Sequence, residues 1–225
     1  MPSSLKTIFF DVGNTLLFPD RDHILSALGS HPRPSLEQWH AIERETKPKF
    51  DSLVQRGGTV DHGFWYMFYT RLLESLNVED DGIREALVNA TRISANWRVM
   101  RPGTCEALQR MGRKHRLAII SNADGKIVEI LTRCGITECV ESITDSGIIG
   151  YEKPHPAIFE AALKAMNAKA DDALYVGDVY AVDYLGATKA GMQAILFDVA
   201  GAYRDRGLPR VESLEELETA VRARS

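Results

Sequence analysis

Three apolar runs in this chain end on side chains able to do chemistry, and a lysine stands in a proline-stiffened loop between two of them. The run "TIFF" delivers Asp11 into a tight Gly13-Asn14 turn, "RLAII" stops on Ser121 and Asn122, and "DALYVG" delivers Asp178, with Asp183 closing a Gly-Asp-x4-Asp pattern. Lys153 lies in "EKPHP", where Pro154 and Pro156 restrict the approach to the next helix. Paired aspartates after a strand are the oxygen ligands a hard cation such as Mg²⁺ takes. A serine hydroxyl with exposed backbone N–H groups at a strand-to-helix turn can hold a phosphate oxygen. A carboxylate attacking a dianionic phosphate meets like charge, so positive charge has to reach both partners, here from Lys153 and a divalent cation. Each residue also has a plain structural role: Asp11 caps its turn, Asp178 and Asp183 cap the following helix, and Lys153 is solvated in its loop.

Elements that would position these residues are legible in the pattern. Besides Thr7 to Leu17, the runs from Arg116, Cys139, Asp172 and Gln193 read as strands, the first placing Asp11 at an exposed carboxyl end, where open α/β sheets do their chemistry. Helical segments separate them: Arg101 to Gly112 with Pro102 in the first turn, Asp124 to Cys134 ending at Gly135, His155 to Met166, and Val182 to Ala190 ending at Gly191. This alternation predicts an α/β, Rossmann-like three-layer core with a mostly parallel sheet. From Phe18 to Trp97 no strand pattern is visible, and the segment is too long for a loop. It reads as an inserted helical layer: a helix from the Ser35/Gln38 capping box through Phe50, one carrying Phe64, Phe68, Leu72 and Leu76, and one over Asp81 to Ala95. Trp65, Tyr66 and Tyr69 read first as packing between these helices and second as pocket walls. Ser213 and Glu216 suggest a further capping box at a terminal helix.

Bulk composition narrows the partners. With 44% hydrophobic residues the chain can bury a substantial core, and a net charge of -4 gives no electrostatic reason to expect nucleic acid or an anionic membrane. A small-molecule substrate and a monomer or homodimer are expected. Cys105, Cys134 and Cys139 cannot all pair and show no CxxC spacing, so they read as buried thiols in a reducing compartment. No apolar run reaches membrane-spanning length, and "MPSSLKTIFF" lacks a signal-peptide pattern; the expected location is cytoplasmic.

The order and spacing of Asp11, Ser121, Lys153 and Asp178/Asp183 resemble the four motifs of the haloacid dehalogenase (HAD) superfamily, most closely its metal-dependent phosphatases with a helical cap inserted after the first strand. The resemblance implies a core of residues 1–17 and 98–225, a cap of 18–97, and hinges near Leu17 to Asp20 and Trp97 to Pro102. It further implies Asp11 as nucleophile forming an aspartyl-phosphate, with Lys153 as the second catalytic residue. Ser121, Asn122 and Lys153 would bind phosphate, and Mg²⁺ would be held by Asp11, Asp178 and the backbone carbonyl of Gly13. Thr15 and Asp183 would support them, Asp183 through water or by orienting Lys153. The cap loop from Arg56 to His62, with Gly57 and Gly58, would help to select substrate.

One position departs from the pattern. Family phosphatases carry Asp-x-Asp-x-Thr, the second aspartate serving as general acid and base; here the motif is Asp11-Val12-Gly13-Asn14-Thr15. Losing such a group costs about 10²- to 10⁴-fold in rate unless a good leaving group or another residue compensates. Asp20, Asp22, His23, Asp61 and His62 are nearby candidates, each reading first as a cap or surface residue. Metal-independent dehalogenases also lack the second aspartate, but Asp178 and Asp183 argue against that branch. Phosphonate hydrolases use a cap lysine, and Lys47 and Lys49 stand in no matching motif. The expectation is a phosphatase of slow or unusual turnover, with a phosphotransferase, or a phosphate- or partner-binding protein of lost or very weak catalysis, as the alternatives.

Overall fold

The computed structural model describes residues 5–58 and 63–224. Among the described residues eight strands form in chain order: β1 (Thr7–Phe10), β2 (Leu17–Pro19), β3 (Trp97–Met100), β4 (Arg116–Ser121), β5 (Ser142–Asp145), β6 (Ala173–Gly177), β7 (Gln193–Phe197) and β8 (Arg210–Val211). Six of them make one sheet in the order β5-β4-β1-β6-β7-β8, and every pairing in it is parallel. Helices α1 (Arg21–Ile24), α2 (Leu36–Gln55), α3 (Gly63–Ser75) and α4 (Asp81–Arg92) lie between β2 and β3, and α5 (Thr104–Gly112), α6 (Ile127–Arg133), α7 (Ser146–Ile149), α8 (Pro156–Ala165), α9 (Leu185–Lys189) and α10 (Leu214–Arg222) alternate with the later strands.

Side-chain alternation along β1 shows why the sheet needs cover on both faces. Ile8 and Phe10 enter one apolar cluster with Leu108, Leu131 and Leu217, whereas Phe9 enters the other with Ile120, Phe159 and Tyr175. All three β1 residues are fully buried, each contributing about 1.5–3 kcal/mol relative to exposure. The fold is therefore α/β with three layers, as the alternation of runs predicts.

Helices α1 to α4 bury a separate cluster built on Trp39, Phe50, Phe64, Phe68 and Leu72, into which Val182 of the core also packs. The capping box at Ser35 and Gln38 starts α2, which runs past the expected end at Phe50 to Gln55 despite Pro48. Helix α4 stops at Arg92, short of the expected Ala95, and is followed by a 3₁₀ turn at Ser94–Asn96.

Several local expectations need correction. Pro102 is outside its helix, which starts at Thr104 behind Gly103 (φ 82°). The segments Leu17 to Asp20 and Trp97 to Pro102, read as linkers without strand pattern, carry strands that pair as the antiparallel ribbon β2/β3, too short at three and four residues to show in sequence. The segment from Val182 opens with a π-helical turn, Tyr180–Tyr184, before α9. At the terminal helix Ser213 caps Glu216 N, but the Glu216 carboxylate accepts from Glu212 N, so the box is not reciprocal. The three cysteines are unpaired and half-buried.

Candidate active site

Parallel strands β1, β4 and β6 end side by side, so Asp11, Ser121 and Asp178 emerge on one edge of the sheet. Lys153 reaches the same edge from the loop before α8. Its Nζ donates to Asp11 Oδ1 (2.6 Å), Asp183 Oδ1 (2.8 Å) and the Tyr175 hydroxyl (2.8 Å), and the side chain is 2% exposed. Burial acts to lower the Lys153 ammonium, but Asp11 and Asp183 outweigh it and hold the group above its ordinary value. The lysine is a fixed positive charge.

Asn122 explains how Lys153 is held. Its side-chain Oδ1 accepts from Lys153 N (2.7 Å) and its Nδ2 donates to Lys153 O (3.0 Å). The amide is thus engaged with the lysine backbone. Ser121 is buried and lines the cavity in front of Asp11.

Asp183 is saturated by protein partners. Besides Lys153 and Tyr175 at Oδ1, its Oδ2 accepts from Asp178 N (3.1 Å) and Val179 N (2.9 Å), which ties the π-helical turn to the loop that carries Asp178. Asp178 differs: its Oδ2 is buried and receives no hydrogen bond. Lys47 Nζ of α2 lies 2.9 Å from that oxygen as an ion pair without hydrogen-bond alignment, and 2.9 Å from Glu43 Oε1. Thr15 Oγ1 is likewise buried without a partner.

Lys47 is the participant the sequence conceals, because only the docking of α2 onto the core brings it to Asp178. Burial opposes its charge, but Asp178 and Glu43 hold it well above its ordinary value. It is an ammonium and not the free amine that carbonyl chemistry requires. Asp51 on the same helix accepts from Ala181 N (2.8 Å), giving the helix a second attachment beside the site.

Oxygen atoms of Asp11, Asp178 and Asp183 lie within 4.8 Å of one another. Four buried carboxylates, those of Asp11, Glu43, Asp178 and Asp183, face two buried ammonium groups, those of Lys47 and Lys153. In their ordinary ionised forms these groups leave an excess of two negative charges. Desolvation accordingly raises Asp11 to about 7 against the pull of Lys153, and raises Asp178 to about 6 against the pull of Lys47. The charge excess and the clustered carboxylate oxygens of Asp11, Asp178 and Asp183 fit a hard divalent cation.

Gly13 has its own neighbour. A Cβ built there would meet Trp97 Cζ3 at 3.2 Å and two more ring atoms at 3.6 Å, so the indole covers the place where a second aspartate would begin. Trp97 is fixed by its Nε1–H donating to Thr91 O (2.7 Å) and by Trp65 at a ring-centroid distance of 5.5 Å. Trp65 therefore lines the cavity, while Tyr69 is buried against Thr91 and Tyr66 is exposed beneath Arg84. Of the residues considered as replacements for the missing acid, Asp20 caps α1 and pairs with Arg98, and Asp22 and His23 are exposed. None of these three lines the cavity that holds Asp11. Asp61 and His62 lie outside the described residues, as does the cap loop beyond Gly58.

Known proteins resemble this chain in sequence and in fold. Residues 5–191 match the haloacid dehalogenase-like hydrolase family. A glyceraldehyde 3-phosphate phosphatase of Methanothermobacter thermautotrophicus is 30% identical over 203 residues, which cover 85% of each chain. One from Pyrococcus abyssi is 35% identical over 201 residues, 86% of this chain and 81% of that protein. Among solved structures, the magnesium-bound HAD-hydrolase YfnB of Bacillus subtilis superposes with a TM-score of 0.69 at 16% identity, over 97% of this chain and 99% of that one, a likeness of fold. This chain belongs to the haloacid dehalogenase-like hydrolases.

Proposed function

We propose that this protein is a Mg²⁺-dependent phosphatase that hydrolyses a small phosphorylated metabolite through an aspartyl-phosphate on Asp11. The observation that carries the reading is the buried chain of Asp11, Lys153 and Asp183 beside Asp178, with opposite charges held within hydrogen-bonding distance at the edge of a parallel sheet. A cavity of about 370 Å³ in front of it suits a small ligand. The phosphatase names of relatives at 30% and 35% identity support the same reaction class.

In this reading Asp11 attacks phosphorus with the oxygen not engaged by Lys153. The Lys153 ammonium offsets the charge of the phosphoryl oxygens, aided by the Ser121 hydroxyl and the Asn122 backbone N–H. Asp183 keeps Lys153 and the Asp178 loop in place, while Thr15 supports the turn after Asp11. Asp11, Asp178 and the Gly13 carbonyl would hold Mg²⁺, which when bound supplies charge neutralisation for the attack of one anion on another.

Phosphate release from a panel of monoesters, with and without Mg²⁺, tests the proposal against Asp11→Asn. Release that requires Mg²⁺ and is abolished in the variant is expected. Release that survives Asp11→Asn would overturn Asp11 as nucleophile, and its absence from a protein that still binds a phosphate mimic would move phosphotransfer or pure binding ahead.

A further inference from the structure

The cavity that holds Asp11 has an aromatic wall. Phe50, Phe64, Trp65 and Trp97 all line the cavity, and successive rings touch edge to face at centroid distances of 5.7, 4.9 and 5.5 Å. Val179 and Val182 extend the apolar surface. Among the described lining residues Lys153 is the sole cation, and it is engaged at Asp11. Among the described residues no lysine or arginine is left on this wall to receive a second phosphate or a carboxylate of the substrate.

The wall also replaces the missing acid. Trp97 covers Gly13, so an apolar ring stands where a proton donor to the leaving oxygen would otherwise begin. Asp124 and Glu152, the other acids lining the cavity, are exposed, and the Asp124 carboxylate accepts hydrogen bonds from Ser94 Oγ (2.6 Å) and Lys126 N (3.2 Å). With no acid at position 13 and no buried one in its place among the described residues, a leaving group that departs here carries its electron pair without prior protonation.

We propose that the substrates are monophosphates of phenol-type hydroxyls, with the aryl leaving group against Trp65 and Trp97; this rests on Asp11 being the nucleophile. A phenol ionises near pH ~10, whereas an alkyl alcohol lies close to the ~15.7 of water. The Asp11 carboxylate forms a bond to phosphorus as the P–O(aryl) bond breaks, and the phenolate leaves with the bonding electrons and takes its proton from solvent. Water then adds to phosphorus, the bond between phosphorus and the Asp11 oxygen breaks, and phosphate departs while the proton of the water passes to solvent. No base at position 13 assists this second step, which is common to all substrates, so phenol should appear in a burst followed by a slower steady state. Two independent features, an aromatic wall and an absent acid, select the same leaving group.

The test uses the full chain with Mg²⁺ and two series of substrates: phenyl phosphates whose substituents vary phenol acidity, and alkyl phosphates including glyceraldehyde 3-phosphate. Expected are kcat/KM values that rise steeply with leaving-group acidity, an aryl preference of about 10²-fold or more, and a burst of phenol. Trp65→Leu should lower kcat/KM for aryl phosphates about tenfold more than for alkyl ones. Phenylphosphonate, which cannot be hydrolysed, should bind more tightly than methylphosphonate and quench tryptophan fluorescence. Equal kcat/KM for the two series, both lost in Asp11→Asn, would overturn the aryl assignment and leave the phosphatase reading standing. Aryl turnover that persists in Asp11→Asn would overturn that reading instead, and with it the proposed step. In a protein with no turnover the phosphonate pair still decides, equal binding refuting the aryl site.

Discussion

Restoring the family's second aspartate in this chain should fail unless Trp97 is changed with it. In Gly13→Asp the new Cβ would stand 3.2 Å from Trp97 Cζ3, inside ordinary van der Waals contact, and the carboxylate has to extend further from that point. The indole cannot drift away freely, because Nε1 is bonded to Thr91 O, Trp65 packs on it, and its backbone pairs with Pro19 in the β2/β3 ribbon. Overpacking of this kind costs about 1–3 kcal/mol. The added charge joins a cluster that already holds more carboxylates than ammonium groups, so it pushes Asp11 and Asp178 further toward protonation.

The assay is a four-protein cycle of wild type, Gly13→Asp, Trp97→Leu and the double variant, unfolded in urea and followed by far-UV circular dichroism so that loss of an indole does not distort the signal. Gly13→Asp should lose about 1–3 kcal/mol, and the double variant should be more stable than the sum of the singles by about 0.5–3 kcal/mol. In turnover, the double variant should gain on alkyl phosphates, for which acid catalysis is worth about 10²- to 10⁴-fold, while the single variant gains little. A Gly13→Asp protein as stable as wild type, with strictly additive singles, would refute the idea that Trp97 occupies the position.

Lys47→Met should lower the stability of chelator-treated protein by about 3–5 kcal/mol, because it leaves the buried Asp178 and Glu43 facing one another without a cation. Mg²⁺ should then raise the melting temperature of the variant more than that of wild type, and equal shifts would count against a shared charge balance. Mg²⁺ affinity should fall as pH drops through about 7 and then about 6, since protons on Asp11 and Asp178 must leave before the ion binds; calorimetry at several pH values measures it. The sign for stability is the reverse. Metal-free folded protein keeps a proton on Asp11 up to about 7, whereas the unfolded chain releases it near 3.8, so wild type should lose stability relative to Asp11→Asn as pH rises through that window.

How far the site can be read from sequence depends on what holds each residue in place. Asp11, Ser121 and Asp178 each end an apolar run, and parallel strands bring such ends together whatever the register of the surrounding helices. The β2/β3 ribbon gave no such signal, because its strands are too short for a period of two to emerge. Gly13 shows that a missing side chain is legible while its replacement is not. The glycine is visible at once, but Trp97 reaches it through a ribbon and a hydrogen bond to α4 that only the folded chain brings together.

Lys47 makes the same point in terms of charge. On its helix it looks like one half of an ordinary i, i+4 pair with Glu43, the kind of contact that on an exposed surface is worth a few tenths of a kcal/mol. Its other partner belongs to the strand end that carries the proposed metal ligand, and the pair is buried because Asp51, four residues further along the same helix, anchors α2 to the π-helical turn. That anchoring converts a surface ion pair into part of the electrostatic balance of the site. Residue types and spacing specify the groups of the core sheet edge, but the net charge felt by Asp178 is decided by which turn of α2 docks above it, and that register comes from tertiary packing.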